Sequence, residues 1–310
     1  MVRLKIFIEL QYEVFDQPSD FIFNIHAAET ASQSLVTENL FVNQPVEVSL
    51  FTDPVHRNRY ARLRAQPGPL KLRYDATVDI QHHIVPPDSV NEVPISQLPA
   101  SVLAYIYPSR YCQSDRLHNL ARSEFGAMQP GYSRVRAIAD WVGRRTRFVS
   151  GSTNATTSAA DTLIEQVGVC RDFAHLMIAL CRALNIPTRF ATGIDYGSDP
   201  SFGPSDFHAY VETFLGGRWY LFDPSGMALP MGLVRLGTGR DAADVSFATI
   251  FGSVKSWSPL LGVEGLSGSD GSVILPHACI DAISTDLESD WPVPNQGSSL
   301  QSWQTQRTLN

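Results

Sequence analysis

The sequence has 310 residues, of which 44% are apolar and 18% charged, and its formal net charge is −7. A chain of this length and composition is globular and large enough for two ordinary domains. The negative charge argues against nucleic acid and anionic membranes as main partners, because both carry negative charge themselves.

The thiols and the N-terminus indicate the compartment. The sequence has four cysteines: Cys112, Cys170, Cys181 and Cys279. They are too few and too scattered for a disulfide framework or a zinc site, so we expect reduced thiols. The N-terminus lacks the apolar segment of a signal peptide, and no run approaches the roughly 20 apolar residues of a transmembrane helix. A cytoplasmic location is therefore expected.

Residues 1–110 are predicted to form a β-rich domain that resembles a β-sandwich. Apolar and polar residues alternate in several short runs, separated by turns with proline or glycine and without a clear helix between them: 2–10, 21–26, 34–39, 46–51 and 70–80. The arginine-rich stretch from Arg57 to Arg64 is interpreted as a solvated face. No group of residues in this domain indicates chemistry.

A proline-rich segment, 84–113, marks the boundary to a second domain, predicted over 111–250. It begins with helical patterns at 114–125 and 133–145. Ser158 followed by Asp161 is typical of the start of a further helix. Gly168 is predicted to end that helix as a left-handed cap.

Residues 168–187 form the most informative stretch. After Gly168 the chain has Cys170 and then a mostly apolar run that Asn185 and Pro187 end, which predicts a central, buried helix. A thiol in the first turn of a helix lies at the positive end of the helix dipole, which favours the nucleophilic thiolate. The alternative interpretation of Cys170 is a small core residue, which is how we interpret Cys181.

A hairpin is predicted downstream, with Gly216 and Gly217 as its turn between strands 207–214 and 218–222. This register makes Asp223 the diagonal neighbour of His208 on one face of the hairpin. A carboxylate that orients an imidazole is the arrangement that a cysteine nucleophile's base requires. Taken alone, the pair is equally compatible with an ordinary strand histidine and a turn aspartate.

These segments resemble the bacterial transglutaminase-like superfamily, in both the order and the type of their motifs, over roughly residues 130–250: 168–174, 181–190, 208–212, 219–224 and 239–245. The resemblance implies an α+β fold in which a papain-like core of N-terminal helices packed on an antiparallel sheet follows the β-sandwich-like domain. It implies Cys170 as nucleophile, His208 as base and Asp223 as orienting residue. It also implies an acyl-enzyme reaction on a peptide or protein amide, without a metal or organic cofactor.

The resemblance leaves the acyl acceptor open. Hydrolysis of an amide or peptide bond is the leading hypothesis, and transfer of an acyl group from glutamine to an amine is the alternative enzymatic one. A non-catalytic binding module with the same fold is the third. The segment 197–206 is expected to contact substrate, because it directly precedes His208.

The end of the chain is predicted to contain strands over 251–284 that complete the second domain, with strand-like pieces at 273–275 and at Ile280. From 285 to 310 the sequence is mostly polar, and we expect a loosely ordered tail. Arg240, Asp241 and Asp244 are interpreted as structural rather than as part of a cleft.

Overall fold

A computed structural model describes residues 1–197, 206–268, 271 and 273–288. The helices of these ranges are α1 His118–Phe125, α2 Tyr132–Arg145, α3 Ala159–Glu165 and α4 Cys170–Ala183. In the part of the chain so described, no helix is both long and apolar enough to cross a membrane.

The strands are more numerous than the sequence patterns predict. In chain order they are β1 Val2–Val14, β2 Ser19–Phe23, β3 Gln33–Val42, β4 Val48–Thr52, β5 Arg59–Ala65, β6 Gly68–Ile80, β7 His83–Val85, β8 Arg147–Phe148, β9 Val167–Gly168, β10 Thr188–Asp195, β11 His208–Leu215, β12 Arg218–Phe222, β13 Leu233–Gly239, β14 Ala248–Phe251, β15 Val254–Ser256, β16 Leu260–Leu266 and β17 Ala282–Leu287. All of them pair antiparallel except β8 and β9, which form a short parallel pair.

Two sheets form the β-sandwich of the N-terminal region. One has the order β15-β1-β6-β3, with β16 also paired to β1, and the other has the order β14-β2-β5-β4. The strict alternation of β6 places its apolar side chains inward, where they pack with those of β2 and β5. The predicted β-sandwich-like domain and the α+β class are confirmed.

The third sheet carries the helices and has the order β13-β10-β11-β12-β17-β7. Helix α4 is apolar over most of its circumference and packs against one face of this sheet, with α1, α2 and α3 around it. The same sheet shares a core with the β-sandwich through side chains such as Tyr210, Val234 and Leu236. Because every residue of β10, β11 and β13 is buried, the sheet is covered on both sides.

The arginine-rich stretch contains a strand that the sequence patterns do not predict. Ala61 and Leu63 of β5 are buried, while Arg62 and Arg64 are exposed, as expected for a solvated face. The prediction for the end of the chain is wrong. The pieces at 273–275 and Ile280 are irregular rather than extended strands.

The C-terminal pairing also differs from the prediction for 251–284. Strands β14, β15 and β16 add to the N-terminal sheets, and β17 alone joins the sheet that packs on the helices. Because β17 extends to Leu287, the first residues of the predicted tail belong to a strand. The remainder of that tail, 289–310, lies outside the described residues.

Candidate active site

Cys170 is the first residue of α4, directly after the N-cap residue Val169. Its side chain is half-buried, whereas Cys112 and Cys181 are fully buried. Burial raises the pKa of Cys112 and of Cys181 to about 12, so both stay protonated thiols at neutral pH. Among these three, Cys170 is the thiol that solvent can reach.

The carboxylate of Asp172, which is completely buried, holds the start of α4 in place. One oxygen accepts the backbone N–H of Val169 at 2.9 Å and the hydroxyl of Thr153 at 2.6 Å. This is the returning half of a capping box, and it pairs a backbone donor that the helix leaves free.

Gly168 has a different role from the one predicted. The left-handed residue that ends α3 is Gln166, with φ of 55°, and Gly168 lies in β9 instead. A Cβ added to Gly168 would lie 2.7 Å from the Cβ of Asp172. Gly168 is therefore required because the carboxylate that caps α4 passes close to its backbone.

His208 is the first residue of β11 and pairs with Gly193 of β10. Gly216 and Gly217 form the predicted turn, and the predicted register holds from the Leu215–Arg218 pair to the end of β12. The next residue in the chain is Asp223. The hairpin thereby places His208 and Asp223 at the same end of the sheet.

Nε2 of His208 lies 3.3 Å from Oδ2 of Asp223. Asp223 is held in turn by its own loop: its Oδ1 accepts the N–H of Ser225 at 2.9 Å and the Ser225 hydroxyl at 2.6 Å, and its Oδ2 accepts the N–H of Ala228 at 3.0 Å. Burial opposes the charge of this carboxylate, but His208 and these donors lower the pKa of Asp223 below its usual value.

The imidazole of His208 is almost completely buried. Burial by itself lowers the pKa of His208, but the charges of Asp195 and Asp223 and the contacts with Asp223 and the Cys170 thiol outweigh it. The net result is a pKa well above the ordinary value of histidine, which favours the protonated form of His208. The structure thus brings all three predicted residues together, with the imidazole in contact with both a thiol and a carboxylate.

Asp195 is a further neighbour of His208, and no motif in the sequence indicates it. It is the last residue of β10, and its Oδ2 lies 3.6 Å from Nδ1 of His208. Period-two alternation and the pairing of Gly193 with His208 put Asp195 and His208 on the same face. Only the register between β10 and β11 could have revealed this.

The other predicted polar residues are structural. Asp241 accepts the backbone N–H of Tyr111 at 2.9 Å, and Arg240 pairs with Asp244 at 3.0 Å. Of the segment 197–206, which is expected to contact substrate, residues 198–205 lie outside the described residues.

A cavity of about 420 Å³ lies beside Asp223, between α2 and the loop that follows β12. Its lining includes Asp223, Ser225 and Tyr132 but neither Cys170 nor His208. The cavity is therefore not the space directly around the thiol.

Comparison with known proteins identifies the family of the chain. Residues 119–224 match the model of the transglutaminase-like superfamily, and residues 2–101 match that of the bacterial transglutaminase N-terminal domain. A crystal structure from Cytophaga hutchinsonii, described as a candidate cysteine protease, is 40% identical, with a TM-score of 0.84 over 91% of this chain and 97% of that one. The chain belongs to the transglutaminase-like superfamily. This superfamily and its structural relative indicate cysteine-dependent hydrolases or acyltransferases in general.

Curated relatives of this transglutaminase-like protein match over a shorter length. An uncharacterised Mycobacterium leprae protein is 32% identical over 117 residues, which are 36% of this chain and 42% of the relative. An uncharacterised Mycobacterium tuberculosis protein is 29% identical over 143 residues, which are 43% of this chain and 46% of the relative. The transglutaminase-like chain therefore spans less than half the length of these relatives.

Proposed function

We propose that this protein hydrolyses amide or peptide bonds through a thioester acyl-enzyme on Cys170. The observation that carries the proposal is the position of Cys170, half-buried in the first turn of a buried helix and in contact with His208. Asp223 orients the imidazole and stabilises its charge. The similarity to a structure described as a candidate cysteine protease adds support for hydrolysis.

In the first step the thiolate of Cys170 attacks the amide carbonyl carbon. The carbon–nitrogen bond breaks as His208 gives its proton to the departing amine, and a thioester remains on the sulfur. The backbone N–H of Cys170 is in a position to stabilise the oxyanion, because it lies at the open end of α4.

In the second step His208 accepts a proton from water, and the hydroxide attacks the thioester carbonyl. The carbon–sulfur bond breaks, the carboxylic acid leaves and the thiolate forms again. Transfer to an amine would follow the same course with the amine in place of water. We propose a peptide or protein amide as the substrate and a cytoplasmic location.

The proposal is tested by incubating a peptide library with the wild type and Cys170→Ala, with and without an added primary amine, and by weighing the products. We expect cleavage by the wild type and none by Cys170→Ala. Cys279→Ala is the matched control, because Cys279 is also half-buried and lines the cavity that neither Cys170 nor His208 lines. Turnover by Cys170→Ala would contradict the proposal, and amine adducts in place of acids would identify acyl transfer.

Reaction with iodoacetamide near neutral pH separates an enzyme from a binding module with the same fold. We expect Cys170 to be alkylated faster than Cys279, since both are half-buried and only Cys170 contacts His208. Equal rates at the two thiols would favour the binding module.

A further inference from the structure

The candidate active site contains a buried carboxylate, Asp195, to which the proposed reaction gives no role. Its side chain is 2% exposed, and its Oδ2 lies 3.6 Å from Nδ1 of His208. Among the residues that the structure describes, its Oδ1 has no hydrogen-bond partner. A buried carboxylate oxygen without a partner is costly, so its retention calls for an explanation.

His208 therefore lies between two carboxylates, one at each ring nitrogen: Asp195 at Nδ1 and Asp223 at Nε2. The two carboxylates differ in how they are held. Asp223 accepts three hydrogen bonds from its own loop, whereas His208 is the positive group that acts on Asp195. The interaction of Asp195 with the site thus depends on the charge of the imidazole.

The groups that face His208 come from four elements. Asp195 ends β10, Asp223 follows β12, Cys170 begins α4, and the ring of Tyr210 on β11 lies 4.6 Å from the imidazole. Burial and the charge of Asp223 raise the pKa of Asp195 to about 7, although His208 opposes this. Asp195 consequently changes its charge near neutral pH.

We propose that Asp195 is a second positioning residue for His208, whose negative charge stabilises the imidazolium from the Nδ1 side while Asp223 does so from the Nε2 side. At 3.6 Å the contact is longer than a hydrogen bond, so Asp195 acts through its charge. When Asp195 is neutral, His208 depends on Asp223 alone, and when it is ionised the imidazolium persists to higher pH. The inference rests on the proposed role of His208 as the acid and base of the reaction.

The test follows the protonation of His208 directly, by NMR titration of the protein labelled with ¹³C at histidine Cε1. The titration is carried out in the Cys170→Ala background, so that the thiol does not contribute, and the His208 signal is assigned from its loss in His208→Gln. Replacement of Asp195 by asparagine is expected to lower the midpoint of His208 by about 1 to 3 pH units, the usual effect of an opposite charge at this distance. Asp195→Glu, which keeps the charge, should retain a raised midpoint.

The matched control is Asp20→Asn, which removes an equal charge from an exposed carboxylate that lies 3.8 Å from the exposed Arg64. Its His208 midpoint should equal that of the parent. Unchanged titration of the other histidines in Asp195→Asn shows that the variant is folded. An unshifted His208 midpoint in folded Asp195→Asn, or an equal shift in Asp20→Asn, would overturn the inference.

The outcome is independent of the test of the proposed function. His208 can be titrated whether or not the protein turns over an amide, so turnover by Cys170→Ala would reject the hydrolase proposal and leave the titration interpretable. If turnover is found, the upper pH limit of kcat/KM should fall in Asp195→Asn together with the NMR midpoint. A structural role for Asp195 would lower activity equally at every pH.

Discussion

The carboxylate of Asp172 fixes the backbone that carries Cys170. It lies two residues after the thiol, is completely buried and connects the N–H of Val169 with the hydroxyl of Thr153. Gly168 leaves the room that this carboxylate needs. The position of the nucleophile therefore depends on a group that takes no part in the proposed reaction.

Replacing Asp172 with alanine should lower the free energy of unfolding by about 1 to 3 kcal/mol, because a buried donor loses its partner. It should also slow the alkylation of Cys170 by iodoacetamide, because the first turn of α4 is no longer held. Urea unfolding and alkylation rates at neutral pH measure the two effects.

Asp161→Ala is the control for Asp172→Ala. Asp161 occupies the same position in α3, where it accepts the N–H of Ser158 at 2.9 Å and its hydroxyl at 2.7 Å. Its removal should cost about 1 kcal/mol and leave the alkylation of Cys170 unchanged. An unchanged alkylation rate in folded Asp172→Ala would contradict the positioning role.

At the level of elements, β13 is an edge strand of the helix-bearing sheet whose free backbone groups are paired by side chains of the β-sandwich. The amide of Gln33 accepts the N–H of Arg235 and donates to its carbonyl, both at 2.9 Å. Asn58 does the same for Thr238, also at 2.9 Å. The side chains of Gln33 and Asn58 thus supply hydrogen bonds that a neighbouring strand would otherwise make with the edge of β13.

Alanine at Gln33 or at Asn58 should each lower the free energy of unfolding by at least about 2 kcal/mol. Gln33→Ala removes the partner of the Arg235 N–H and of the Ala28 carbonyl, and Asn58→Ala removes the partners of the Thr238 N–H and carbonyl. Gln44→Ala provides the comparison. Its amide pairs in a similar way with Gln66, at 2.8 Å and 3.1 Å, but in an exposed turn where water can replace it. The free energies are measured by urea unfolding. If Gln44→Ala lowers the free energy of unfolding as much as Gln33→Ala does, pairing of the β13 edge by buried side chains has no special importance for stability.

The elements that the sequence predicts correctly are those determined by residues close together in the chain. The turn of Gly216 and Gly217 determines the hairpin register, and through it the approach of Asp223 to His208. The capping box of Ser158 and Asp161 is likewise formed by neighbours in the chain. Such features require no knowledge of the rest of the fold.

The features that the sequence did not predict depend on distant parts of the chain. Asp195 reaches His208 only because β10 pairs with β11, and Gly168 is needed only because of where Asp172 packs. The strand β5 was missed because three of its seven residues are arginines, a density of charge that an exposed loop can also have. Strand pairing and close packing are set by tertiary contacts that a single segment does not contain.

For the whole molecule, the chain crosses between the two sheet systems more than once. The β-sandwich receives β14, β15 and β16 from the C-terminal part, and β7 from the N-terminal part lies at the edge of the helix-bearing sheet. The two systems also share one core. We therefore expect neither to unfold without the other.

This expectation is tested with two variants that each retain a single tryptophan, either Trp219 or Trp257. Trp219 is buried in the helix-bearing sheet, and the backbone N–H of Trp257 donates a hydrogen bond to the carbonyl of Gln11 in β1. The fluorescence of both should change at one urea midpoint, because unfolding of the sandwich removes the cover of β13 and unpairs β14 to β16. Adding Asn58→Ala to each variant should lower both midpoints by the same amount, since Asn58 joins the two systems. Separate midpoints, or a shift of the Trp257 midpoint alone, would show two units that unfold independently. The stability of the helix-bearing sheet would then not depend on the β-sandwich.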